Sequence, residues 1–158
     1  MYYRKYQSTY CSLIMLSDGE YLTGLYFKDY DDYHDLKEAD LDIFDEVKKW
    51  LDCYFEGKVP SSLPKIKLQG TSFQKDVWDI LLTIPYGNVV TYGDIADMIA
   101  YSRGMKMMSA QAIGQAVSKN PIAIIVPCHR VLGKNNKLTG YAYGLHNKEM
   151  LLKSEGVL

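Results

Sequence analysis

Cys128, His129 and Arg130 set a thiol, an imidazole and a guanidinium on three successive residues, directly after Pro127. That is the inventory of a sulfur nucleophile. A thiol is mostly protonated near neutral pH, and nearby cationic or hydrogen-bonding groups favour its reactive thiolate. The competing reading is an inert cysteine packed as a small hydrophobe. Adjacency alone does not bring the imidazole to the sulfur, because neighbours along a strand point to opposite faces. The chain must bend here, and Pro127 gives it a reason to. Ahead of it, Pro121-Ile122-Ala123-Ile124-Ile125-Val126 is a short β-branched run between prolines, expected as a buried strand or extended segment. Pro127 lacks a donor and ends that element, which leaves Cys128 rigidly held at its tip.

Three helices are expected upstream. Thr71 with Gln74 three residues on is a capping-box start, and Phe73, Val77, Leu81 and Ile84 form one apolar face until Pro85 and Gly87 stop the helix. Thr91 with Asp94 opens a second helix, whose buried face is Ile95, Met98 and Ile99. Ser109 can cap a third carrying Ile113, Ala116 and Val117. The last two suggest a helix-turn-helix, although the Tyr101 to Met108 connection is longer than the usual tight turn. The small residues Ala110, Ala112, Gly114 and Ala116 would permit close approach to a backbone or groove, and equally close helix packing.

The first seventy residues carry no visible chemistry. Arg4 to Ser8, Ser12 to Leu16 and Tyr21 to Phe27 read as three strands, the last two joined by the hairpin loop Ser17-Asp18-Gly19-Glu20. An acidic stretch from Asp29 to Glu46 leads into a helix with Leu41, Phe44, Val47, Leu51 and Tyr54 on one face, closed by Gly57 and Pro60. Val59 to Pro64 reads as a linker. The expected whole is a two-part α/β chain. Residues 1–64 form a small three-stranded antiparallel sheet with a helix, and residues 65–158 form a mainly helical domain with a helix-turn-helix-like motif.

Net charge is −1, but it is unevenly spread. Residues 1–70 hold nine basic against thirteen acidic side chains, and residues 71–158 nine against six, so a nucleic-acid partner is expected on the second half. Cys11, Cys53 and Cys128 form neither a disulfide framework nor a metal pair, and His34, His129 and His146 are equally scattered. No metal or cofactor is expected. No window is long and apolar enough for a membrane span, and a reducing cytoplasm suits the cysteines.

Pro127-Cys128-His129-Arg130-Val131 resembles the active-site motif of the O6-alkylguanine-DNA alkyltransferases, the methylated-DNA–protein-cysteine methyltransferases. The likeness continues in order through Phe73 to Trp78, Pro85-Tyr86-Gly87, Thr91 to Ala96, Ser118 to Pro121, Leu138 to Tyr141, Lys148 to Leu152 and Glu155-Gly156. It covers about half the chain, from Gly70 onward. The resemblance implies single-use repair of double-stranded DNA containing O6-alkylguanine, with O4-alkylthymine as a further substrate. The nucleotide is flipped out, and its alkyl group moves to Cys128 for good. His129 would activate the thiol through a water, Glu155 would orient His129, and Asn120 would hold the active-site turn. The implied pocket is Tyr92, Val131, Tyr141, Ala142 and Tyr143; Tyr143 stands where some relatives carry glycine and should narrow the entrance. Thr91, Tyr92, Gly93, Gln111, Ala112 and Arg130 are the implied DNA contacts. Gln111 departs from the usual arginine that fills the gap left by the flipped base.

Rival readings differ in one feature each. Alkyltransferase-like proteins flag lesions without reacting, but they replace the cysteine that this chain keeps. A transcription regulator of the same family would add a regulatory domain and metal-ligand cysteines. A papain-like hydrolase would bring its histidine from a distant part of the chain. One monomer per lesion is the simplest stoichiometry.

Overall fold

The computed structural model describes residues 1–28 and 31–158, so Asp29 and Tyr30, at the start of the acidic stretch, lie outside the described residues. Two compact units emerge: Met1–Gln69 with Pro121–Ala123, and Gly70–Asn120 with Ile124–Leu158.

In the first unit, β1 (Tyr2–Gln7), β2 (Ser12–Ser17) and β3 (Leu22–Phe27) form an antiparallel meander. Leu13 to Leu16 are all buried, as befits the central strand, and α1 (Asp42–Phe55) packs Phe44, Val47, Leu51 and Tyr54 into the core. The sheet has a fourth strand that was not expected. Lys37–Glu38 (β4) pairs parallel with Tyr2 and Tyr3, giving the order β3-β2-β1-β4. Its two polar, exposed residues leave no apolar pattern; backbone bonds hold them, with the Tyr3 hydroxyl donating to the Glu38 carboxylate (3.4 Å). The free edge of β3 is covered by two single-residue bridges, Leu22 to Ile66 and Leu25 to Ile122. These bridges correct the expected division after Pro64: they carry the chain through Ile66, and again residues 121–123, onto the first unit.

The second unit holds α2 (Ser72–Leu82), β5 (Val90–Thr91), α3 (Tyr92–Ser102), α4 (Ala110–Ser118), β6 (Val131–Leu132) and α5 (Leu145–Ser154). Both capping boxes form, Thr71 with Gln74 and Thr91 with Asp94, and the Ser109 hydroxyl accepts from the Gln111 and Ala112 amides. Met98, assigned to the buried face of α3, is instead exposed; Ile95, Ala96, Ile99 and Ala100 are the buried set. Buried Trp78 ties α2 to α4 by donating its Nε1 hydrogen to the Ala116 carbonyl (2.9 Å). Helices α3 and α4 pack together, joined through residues 103–109.

The run before Cys128 is buried from Ile122 onward, but it is not a strand. Ile122 makes one bridge, then Ile124 takes φ 68° and turns the chain. A β-branched residue with positive φ is rare and needs a packed surround to hold it. No helix among the described residues is long and apolar enough to cross a membrane.

Candidate active site

Cys128 opens a single 3-10 turn, Cys128–Arg130, that follows Pro127 and runs into β6. The amide of Cys128 donates to the Val126 carbonyl (2.8 Å), and the Asn120 side-chain amide donates to the same carbonyl (2.8 Å), pinning the bend. The residue is 3% exposed and lines a cavity of ≈ 250 Å³ with Tyr92, Gly114, Val117, Gly140 and Tyr141. That volume suits one small organic group rather than an extended ligand. Burial pushes the Cys128 thiol pKa up, against hydrogen bonds from Asn120 and Tyr141 and the charge of Lys148. The Sγ to Tyr141 Oη distance is 3.9 Å.

The 3-10 turn aims the other two side chains inward. Fully buried His129 meets Glu155 at 2.5 Å through Nε2 and Oε2, and its Nδ1 has no protein partner among the described residues. Arg130 closes on the same carboxylate, with Nε to Oε1 at 2.7 Å and a second nitrogen to Oε2 at 3.2 Å, and it donates to the Ile84 carbonyl at 2.7 Å. This corrects the expectation of Arg130 as a DNA contact. Its guanidinium is spent on a buried bidentate pair and a carbonyl. Burial raises the Glu155 pKa, but the hydrogen bonds from His129 and Arg130, with the charge of the Arg130 guanidinium, outweigh it and hold the carboxyl at about 2. Burial pushes the His129 imidazole down, against the pull of Glu155, so the ring is held neutral. Glu155 also accepts from the Gly87 amide (3.1 Å), and Tyr86 donates to the Ser154 carbonyl (3.1 Å), so Pro85-Tyr86-Gly87 anchors the end of α5.

Lys148 was absent from the expected site and is central to it. Fully buried, it donates to the carbonyls of Val131 (2.6 Å), Thr139 (3.0 Å) and Gly140 (3.2 Å) and lies 5.9 Å from the ring centroids of both Tyr92 and Tyr141. Burial brings its pKa down to about 8. One signal could have found it: with Leu151 and Leu152 it makes an i, i+3, i+4 set on the buried face of α5.

The remaining expected residues are also accounted for. Tyr92, half-buried, opens α3, and burial raises its phenol pKa. Ala142 lines the cavity; Val131 is fully buried with its carbonyl on Lys148. Tyr143 packs edge-on against Tyr141 at 5.4 Å and donates to the Asn120 carbonyl (3.3 Å). Thr91, Gly93 and Gln111 line a wider groove outside the cavity, and Ala112 follows on the first turn of α4. No cluster of metal-binding side chains occurs among the described residues.

Comparison with known proteins agrees along the whole chain. Residues 72–157 match the 6-O-methylguanine DNA methyltransferase, DNA binding domain, and residues 1–69 match the ribonuclease-like domain of the same protein. A methylated-DNA–protein-cysteine methyltransferase of Methanosarcina acetivorans is 43% identical over 99% of both chains. One from Mycobacterium tuberculosis is 40% identical over 98% of this chain and 92% of its own. Among solved structures, M. tuberculosis OGT in complex with DNA superposes with a TM-score of 0.86 at 39% identity, covering 98% of this chain and 92% of that one.

Proposed function

The chain belongs to the 6-O-methylguanine DNA methyltransferase family, and we propose that Cys128 is the residue on which it takes up the alkyl group. As a member it is a DNA-binding repair methyltransferase that moves methyl from guanine O6 to one of its own cysteines. The observation that carries the assignment is the small cavity floored by the one cysteine that has a buried acid–base pair beside it.

The buried sulfur is out of reach of a base stacked in a duplex, so the damaged nucleotide must leave the helix and enter the cavity. Glu155, ionised, accepts from His129 Nε2 and leaves Nδ1 as the basic nitrogen of a neutral imidazole. A water between Nδ1 and the thiol passes the Cys128 proton to His129, and the resulting imidazolium is stabilised by Glu155. The thiolate attacks the alkyl carbon. A carbon–sulfur bond forms as the carbon–O6 bond breaks, and its electron pair stays with guanine. Tyr92, kept protonated by burial, donates a proton to the departing base, and exchange with solvent resets Tyr92 and His129. A thioether does not hydrolyse under mild conditions, so each molecule reacts once.

O4-alkylthymine fits the same chemistry. The partner is double-stranded DNA carrying the lesion, one monomer per site. Gln111, exposed on the first turn of α4, fills the space left by the flipped base. Equal single-turnover rates for Gln111→Ala and the native chain on duplex substrate would refute that role. The reaction itself is tested by Cys128→Ala, which should bind an O6-methylguanine duplex yet accept no methyl. Methyl uptake by this variant would put the acceptor elsewhere.

A further inference from the structure

The cavity beside Cys128 and the groove outside it share a wall, because Tyr92 and Gly114 line both. A nucleotide whose base occupies the cavity therefore has its sugar and phosphates in the groove, which measures ≈ 670 Å³. Thr91 to Gly93 form one side of that groove, and Ala110 and Gln111 form another; neither side brings a formal charge. The nearby Asp94 carboxylate is turned onto the Thr91 amide as a cap (2.9 Å). Among the described residues that line the groove, the charged one is Lys134.

Lys134 is held for this position. The parallel pairing of Val90 with Val131 and Thr91 with Leu132 brings the turn after β6 alongside the start of α3. The Gly133 amide donates to the Lys137 carbonyl (2.8 Å) and closes the turn, and a Cβ on Gly133 would come within 2.8 Å of Thr139 Oγ1. Asn135 and Asn136 both take the left-handed conformation, φ 61° and 57°, which asparagine tolerates better than most residues. Lys134 itself is exposed and forms no ion pair among the described residues. Of the two exposed lysines of this braced turn, Lys134 lines the groove that continues from the cavity beside Cys128, and Lys137 is not among the lining residues.

We propose that Lys134 grips a backbone phosphate beside the flipped nucleotide and supplies the charge that the α3 and α4 walls of the groove lack. The proposal rests on the repair reading above and adds a determinant of DNA affinity to it. A lysine that neutralises one phosphate releases about one condensed counterion, so it adds roughly 0.9 to the slope of log affinity against log salt.

The test measures binding of an O6-methylguanine duplex over a range of salt, on a Cys128→Ala background that stops the reaction. Lys134→Ala should lower the slope by about one and weaken binding most at low salt. Lys134→Arg should keep the native slope. Lys137→Ala, in the same turn, should keep it too. An unchanged slope in Lys134→Ala would overturn the proposal, as would an equal loss in Lys137→Ala, which would mean a diffuse field rather than a contact. Methyl uptake by the native chain from the same duplex is scored in parallel. If that is absent along with binding, the repair reading falls and takes this proposal with it; if it is present, the slopes judge Lys134 alone.

Discussion

Glu155→Gln is expected to destabilise the protein by about 3–5 kcal/mol, the usual cost of removing one partner from a buried ion pair. The Glu155 side chain is 0% exposed and that of Arg130 only 10%, so little solvent is available to take over. The carboxylate serves two buried groups at once, and a neutral amide leaves the Arg130 charge unpaired. For a chain of this size, roughly 2–4 °C per kcal/mol implies a melting midpoint lower by about 10 °C. Methyl transfer should fall as well, since His129 loses the acceptor that fixes its ring and supports its charge. The same carboxyl sets an acid limit. Its folded pKa of about 2 lies below the ordinary value of 4.5, so its contribution is complete above about pH 4.5 and drains away as pH falls toward 2. Acid unfolding followed by circular dichroism should show that loss in the native chain and a flatter profile in Glu155→Gln. A variant within 1 kcal/mol of native would mean that the ionised carboxylate is not what holds the network.

Lys148→Met should separate function from stability in the opposite sense. The substitution roughly keeps the volume but removes the donor to three carbonyls and the cation near Tyr92, Tyr141 and Cys128. Burying that ammonium is itself unfavourable, which is why its pKa falls to about 8, and removing it offsets part of the lost hydrogen bonding. The stability loss should therefore be smaller than that of Glu155→Gln. Transfer should drop by about tenfold for each 1.4 kcal/mol of lost transition-state stabilisation, because the Lys148 charge that opposes the burial-raised Cys128 pKa is gone. Single-turnover rates against pH provide the decisive readout. The native profile should lose rate above about pH 8 as Lys148 gives up its proton, and the variant should be slow throughout with no such limb. Stability moves the other way: between about 8 and 10.5 the unfolded chain holds the proton that the folded chain has shed, so stability rises with pH there. A variant with native rates would reduce Lys148 to a brace for the loop at Thr139 and Gly140.

Local chemistry made much of this legible. Thr71 with Gln74 and Thr91 with Asp94 announce helix starts because each box satisfies orphan amides within four residues. The β1-β2-β3 meander follows from short apolar strands and tight turns, and the string around Cys128 pointed to the turn that lines the small cavity. What stayed hidden depended on partners far along the chain. Arg130 turns inward because Glu155 lies 25 residues on, and Lys148 is buried because Val131 needs a donor 17 residues away. The β4 edge rests on backbone bonds that polar side chains do not advertise. Ile124 bends a run that reads as strand, since its β propensity is overruled by the turn that delivers Cys128.

The central claim is that Cys128 is consumed once per lesion. The most direct measurement is the intact mass of the native chain after mixing with excess duplex bearing one O6-methylguanine, with Cys128→Ala as the blank. A gain of one methyl group, saturating at one per chain and absent from the blank, is the predicted result. No gain despite lesion-preferring binding, or a gain that persists without Cys128, would contradict it.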